Sequence, residues 1–279
     1  MNQEFRVAVL GHVGGTQFVD EVLAPLAEAY DVVTRSAYRT VENAETVNAC
    51  LRHLNRLDNA DWVPPAMLFF QRHADDYEKL VRFVRDLERL AYVLFVTRAD
   101  VNQRIRRYAE IVEAIEGRAD PFAEESPLRL RGTEAKDALA AIDGPVYETR
   151  RIRMPLALRL DGLLAGEGAT YDHAIVSLEH VLPQNPGTGS KWLEVFADEG
   201  ERAGWTHRLA NLVLLSRRKN AQAQNYDFVR KKKEYFQRKD TSPFALTTQV
   251  LNEEDWTPAV LERRQKRLVA ALAEEWRLK

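Results

Sequence analysis

The chain has 279 residues, 45% of them hydrophobic, which is enough for two packed units, and its formal net charge of -2 argues against a protein built wholly as a nucleic-acid clamp. The single cysteine, Cys50, excludes an internal disulfide and reads as a small buried thiol, so a cytosolic setting is the default. No charged leader with an apolar core follows Met1, and no apolar run reaches the roughly 18 residues of a membrane span, so the reading is a soluble, cytoplasmic protein with no membrane partner.

Taken in order, Phe5 to Gly15 is a short apolar run ending in glycines. It lacks the Lys that a phosphate-binding loop needs, and reads as a turn before a helix. Helical spacing of Phe18, Val22, Leu23, Leu26 and Ala27 predicts an amphipathic helix over 16–30, kinked at Pro25. A second helix is predicted over 43–57 from Val47, Leu51 and Leu54. Trp62-Val63-Pro64-Pro65 marks a helix start, because proline is tolerated in a first turn. The long periodic region 75–117 divides near Thr97 to Asp100, with Leu80, Phe83, Val84, Leu87, Leu90, Ala91, Leu94 and Phe95 on the apolar face of its first half. Arg85, Asp86, Glu88 and Arg89 fall between these positions and read as a solvated face.

A polar stretch with Gly117, Pro121, Pro127 and Gly132 follows, then a short helix over 135–142. The domain boundary is placed here, giving a helical domain over 1–143 and a second domain over 144–279. Positive charge gathers in the second half: residues 1–149 hold 18 Lys/Arg against 25 Asp/Glu, whereas 150–279 hold 22 against 17. Arg150, Arg151 and Arg153 open a segment rich in Arg and Leu, and read equally as DNA-phosphate contacts or as snorkelling arginines on a surface helix.

The chemistry concentrates between Val176 and Phe236. Ala174 to Leu182 reads as a strand that carries Glu179-His180 and ends at Pro183; Asn211 to Leu215 reads as a second strand, and Ser216 as the N-cap of a helix over 217–223 that carries Asn220. Neighbours on a strand face opposite ways, so bringing Glu179 and His180 to one site requires the strand end to turn one of them. The basic runs Arg217-Arg218-Lys219 and Arg230-Lys231-Lys232-Lys233 flank this region and read as phosphate contacts. His173 and His207 read as structural, and Asn225 as a cap for a helix beginning at Tyr226. The C-terminal helix, with Val260, Leu261, Leu268, Leu272 and Trp276 on one face, is predicted to pack back on the helical part.

The strings EHVLPQN and NLVLLS, an Asn nine residues after the first, and F-x-x-K at Phe228 and Lys231 with Tyr235 one residue late resemble the HNH (ββα-metal) nucleases. More narrowly, they look like the C-terminal nuclease domain of GmrSD-type modification-dependent restriction proteins, including the SspE-type phosphorothioate-sensing antiphage proteins. The resemblance implies a mainly α fold with a small ββα-metal (HNH) module in the second half. It implies a DNA endonuclease, in the simplest case a nickase, acting in bacterial defence against foreign DNA. His180 would be the general base, Asn211 would brace the loop that holds it, and Glu179 and Asn220 would hold one Mg²⁺ or Mn²⁺. Hard oxygen donors without thiolates suit these ions and disfavour zinc. Two departures stand out: Glu179 occupies a place where many members have Asp, and Ala210 replaces the usual Gly, which implies that this backbone is not left-handed. The resemblance also implies an upstream nucleotide-hydrolysing sensing domain outside these residues. Two rival readings are a catalytically silent HNH fold acting as a DNA-binding or regulatory module, and a purely helical interaction domain.

Overall fold

The computed structural model describes residues 14–40, 44–166, 176–216, 226–237 and 244–278. The described chain is mainly helical: α1 (Ala24–Arg35), α2 (Glu45–Leu54), α3 (Val63–His73), α4 (Tyr77–Val96), α5 (Val101–Glu116), α6 (Glu134–Asp143), α7 (Arg150–Ala165), β1 (Ser177–His180), α8 (Lys191–Val195), α9 (Glu199–Thr206), β2 (Leu212–Leu215), α10 (Phe228–Lys231), α11 (Ala245–Leu251) and α12 (Pro258–Glu275). Among the described residues the only sheet is the pair β1–β2. The helix predicted over 217–223, which would complete a ββα unit, lies outside the described residues.

Contacts divide the chain into one unit of residues 1–92 and 99–130 and a second of 93–98 and 131–279. In the first unit α1 packs on α3, and α3 on α5. Pro25 sits in the first turn of α1, directly after a π-helical stretch, Val19–Leu23; the ring has no N–H to give to the preceding turn, and the widened turn accommodates it. Proline also opens α3, at Pro64 and Pro65, with Trp62 as its N-cap. Between α4 and α5 the break falls where the sequence places it, and Asp100 forms a capping box with Gln103. Phe69 and Phe83 stack at 3.8 Å in the core of this unit.

The charges of α4 correct the sequence reading. Arg85 is exposed, but Asp86, Glu88 and Arg89 are buried. Arg89 meets Asp86 at 3.6 Å and donates to the Leu128 carbonyl at 3.3 Å. Periodicity locates the most apolar face of α4, yet Leu90 through Val96 are all buried, so the end of this helix has no solvated face.

In the second unit α11 packs on β2 and α7, and α12 packs on α6, on α7 and on the 3-10 turn Leu209–Asn211. The C-terminal helix thus packs on residues 134–143 within this unit. Val181, Leu182, Trp192, Phe196, Val213, Leu215, Phe228, Trp256 and Leu261 form its core, with Phe228 stacked on Trp256 at 5.4 Å. Burying a backbone polar group without a partner costs about 1–3 kcal/mol, and side chains meet that demand here. Asp161 accepts from the Leu246 N–H (2.7 Å), Thr247 donates to the Leu214 carbonyl (2.5 Å), and Gln265 links the Ala210 N–H (2.8 Å) to Asp143 (2.9 Å). Ala210 is not among the residues with positive φ, so the residue that replaces glycine there carries no left-handed strain. Among the described residues no helix is long and apolar enough to cross a membrane.

Candidate active site

Two strands position the candidate residues. β1 runs antiparallel to β2, with Glu179 opposite Val213 and His180 opposite Leu212. A bond from the Val181 N–H to the Asn211 carbonyl (2.9 Å) carries the pairing one residue beyond His180. The expected turn-out of Glu179 or His180 at the strand end is thus corrected: pairing stays regular through Val181, and the two side chains leave on opposite faces. Both are buried, at 3% and 6% exposure.

On its face, His180 enters an aromatic group that the sequence reading missed. Its Nε2 lies 3.3 Å from Nδ1 of His207, and its Nδ1 lies 3.2 Å from the side-chain nitrogen of Gln184. The Tyr147 ring meets the His180 ring edge-on at 4.1 Å and stacks on His207 at 5.5 Å. Tyr147 sits in the 3-10 turn Val146–Glu148, and its backbone N–H donates to the His207 carbonyl at 3.0 Å. The Arg153 guanidinium lies 4.3 Å over the outer part of this group, on the Tyr147 ring. No local pattern joins residues 147, 180 and 207; the only signal in the sequence is that His207 stands four positions before Asn211.

Asn211 closes the other side of the strand end. Its carboxamide oxygen accepts from the Leu182 N–H (2.7 Å) and the Trp256 indole N–H (3.2 Å), and its nitrogen donates to the carbonyls of Leu182 (3.0 Å) and Thr206 (2.9 Å). The amide thus pairs with Leu182 as another strand would. It fixes the residues after His180 to the turn that precedes β2.

Lys231 requires a correction. Read from the sequence as a phosphate contact, it is 2% exposed, and its ammonium donates to the carbonyls of His180 (2.7 Å) and Val181 (3.1 Å). A charge used inside the fold is not available to DNA. Burial pushes the Lys231 ammonium down to about 7, and the Glu179 carboxylate acts against that shift. Lys231 therefore pins the backbone of the His180 strand, and the Glu179 carboxylate favours its charged form.

The remaining basic residues divide. Lys232 is half-buried and donates to the Glu253 carbonyl at 2.6 Å. Arg230 is exposed, pairs with Glu234 at 3.1 Å and covers the Tyr226 ring at 3.9 Å; Lys233 is exposed as well. Arg150 and Arg151 are exposed at the start of α7, and Arg151 lies 5.4 Å from the Phe95 ring centre. Arg217, Arg218, Lys219 and Asn220, together with His173 and Asn225, lie outside the described residues. Among the described residues no group of three or more His, Cys, Asp or Glu side chains is arranged to hold a metal.

This geometry offers a base on a rigid strand: an imidazole whose orientation is set by rings on one side and whose backbone is fixed by Asn211 and Lys231 on the other. Residues 133–271 match the family model of the GmrSD restriction endonucleases, C-terminal domain. No curated protein matches the chain.

Proposed function

Residues 133–271 belong to the C-terminal domain of GmrSD restriction endonucleases, a family with a restriction-type nuclease role in defence, and from this premise we propose that the chain is a divalent-metal-dependent DNA endonuclease of HNH type that nicks one strand per engagement. The observation that carries the reading is the placement of His180. Its ring is held by neighbours on a strand end that Asn211 and Lys231 tie down at backbone level, which is the preorganisation a general base needs. In this reading a water oxygen attacks phosphorus, its proton passes to the His180 ring, and the bond from phosphorus to the leaving sugar oxygen breaks. Asn211 keeps the strand end in place, and exposed Arg150, Arg151, Arg230 and Lys233 hold the phosphate backbone.

The metal belongs to the proposal. Glu179 offers hard carboxylate oxygens and Asn220 would offer an amide oxygen, a donor chemistry that fits Mg²⁺ or Mn²⁺, with phosphate oxygens and water completing the shell. One such ion supplies stabilisation of the charge that develops on the phosphate in the transition state. Glu179 leaves β1 on the face opposite His180 and has the Lys231 ammonium near it, so it is the weaker of the two ligands. The proposed setting is the cytoplasm, with an upstream nucleotide-hydrolysing domain sensing the DNA modification, phosphorothioate among the candidates.

A supercoiled plasmid incubated with Mg²⁺ or Mn²⁺ tests the reading. Conversion to open circle is expected, and it should be lost in His180→Ala and Asn220→Ala. If those variants convert the plasmid as fast as the parent, the assignment is wrong. A second reading, a DNA-binding module with a silent HNH fold, is favoured by the charge of Glu179, which already acts on the Lys231 ammonium and favours its protonated form. It expects salt-sensitive DNA binding and no metal-dependent product.

A further inference from the structure

We propose that His207 is a positioning residue for His180: it holds the proton of the His180 ring on Nε2 and leaves Nδ1 as the atom that takes a proton from water. The inference rests on the reading of His180 as general base. Both ring nitrogens of His180 have a neighbour, Gln184 at Nδ1 (3.2 Å) and His207 at Nε2 (3.3 Å). A neutral imidazole has one N–H and one lone pair, so the two contacts must differ in direction. The nitrogen of a carboxamide only donates, and Gln184 therefore gives its N–H to His180 Nδ1. His180 Nε2 then carries the hydrogen and donates it to His207 Nδ1, and His207 bears its own hydrogen on Nε2.

The two partners also differ in how firmly they are held. Gln184 is exposed, in the turn after β1, so water or a phosphate can displace it. His207 is half-buried, stacked on Tyr147, and its carbonyl accepts the Tyr147 N–H at 3.0 Å. Tyr147 also meets the His180 ring at 4.1 Å, so one tyrosine clamps both imidazoles. The fixed contact is at Nε2 and the replaceable one at Nδ1. A base whose tautomer is set in this way has its free lone pair always on the same side, whereas an unheld imidazole divides its population between two forms.

The test uses the full chain labelled with ¹⁵N-histidine, with long-range ¹H–¹⁵N spectra assigned through His180→Ala and His207→Ala. The parent should show His180 protonated at Nε2 and bare at Nδ1. His207→Ala should give a mixture of tautomers and lower kcat for plasmid nicking about 10- to 100-fold with KM nearly unchanged. His207→Asn places a carbonyl oxygen where Nδ1 stood, and should restore the Nε2–H form and most of the rate. A parent His180 protonated at Nδ1 would overturn the proposal, as would equal losses in His207→Ala and His207→Asn. Should the parent not nick at all, the nuclease reading fails by itself, and the ring spectra still decide the hydrogen-bond assignment.

Discussion

Replacing Asn211 with alanine should destabilise the second unit severely. The amide serves four buried groups: the N–H and carbonyl of Leu182, the Thr206 carbonyl and the Trp256 indole N–H. Each buried group left without a partner costs about 1–3 kcal/mol, so four would cost on the order of 8 kcal/mol if nothing relaxed. The vacated space has polar walls and admits a water, which recovers part of that, leaving a loss of about 4 kcal/mol. With a urea m-value of about 2 kcal/mol per M, the unfolding midpoint should fall by about 2 M, followed by tryptophan fluorescence and far-UV circular dichroism. Asn211→Asp sharpens the argument, because it keeps the shape and the accepting oxygen but turns the donor that faces the Leu182 and Thr206 carbonyls into a second acceptor. It should lose at least as much as the alanine variant. A midpoint shift below about 0.5 M for alanine, or parental stability for aspartate, would refute the reasoning.

Lys231 sets a pH dependence whose sign follows from its pKa, lowered by burial to about 7 from 10.5. Above about pH 7 the folded chain gives up a proton that the unfolded chain keeps, so this group makes stability rise with pH between about 7 and 10.5, while below that window its burial cost is fully present. Urea midpoints of the parent relative to Lys231→Met should therefore climb from pH 7 to pH 9, and a flat difference would contradict the assignment. For DNA binding, Arg150→Ala and Arg151→Ala should each lower the slope of log K against log salt by about 1 without changing sequence preference, as measured by fluorescence anisotropy. Lys231→Met should leave that slope unchanged, because its ammonium already bonds the His180 and Val181 carbonyls. Gln265→Leu removes the partner of the Ala210 N–H and should cost about 1–3 kcal/mol in a thermal or urea melt.

Local chemistry made much of the chain legible in advance. Prolines at 64 and 65 mark a helix start because they lack N–H groups that a first turn does not use, and the interruption near Thr97 to Asp100 falls between two helices, the second of which Asp100 caps with its own carboxylate. The short apolar runs around Leu178 and Leu212 to Leu215 read as strands, and the structure pairs them so that Glu179, His180 and Asn211 lie on one hairpin-like unit. These features depend on a residue and its near neighbours alone.

What the tertiary structure decided is where each charge and ring ends. Asp86, Glu88 and Arg89 look like a solvated face by periodicity, but periodicity ranks the faces of a helix and does not say how many are covered. Lys231 looks like its basic neighbours, yet its stem enters the core and its ammonium meets carbonyls fifty residues earlier in the chain. His207 and Tyr147 carry no motif, and become neighbours of His180 only because the turn at 146–148 and the approach to β2 fold onto one strand end. Helix and strand follow from sequence spacing, which is a short-range property; burial, charge pairing and the tautomer of a histidine depend on groups brought within a few ångströms by the whole unit, and those distances exist only once it has packed.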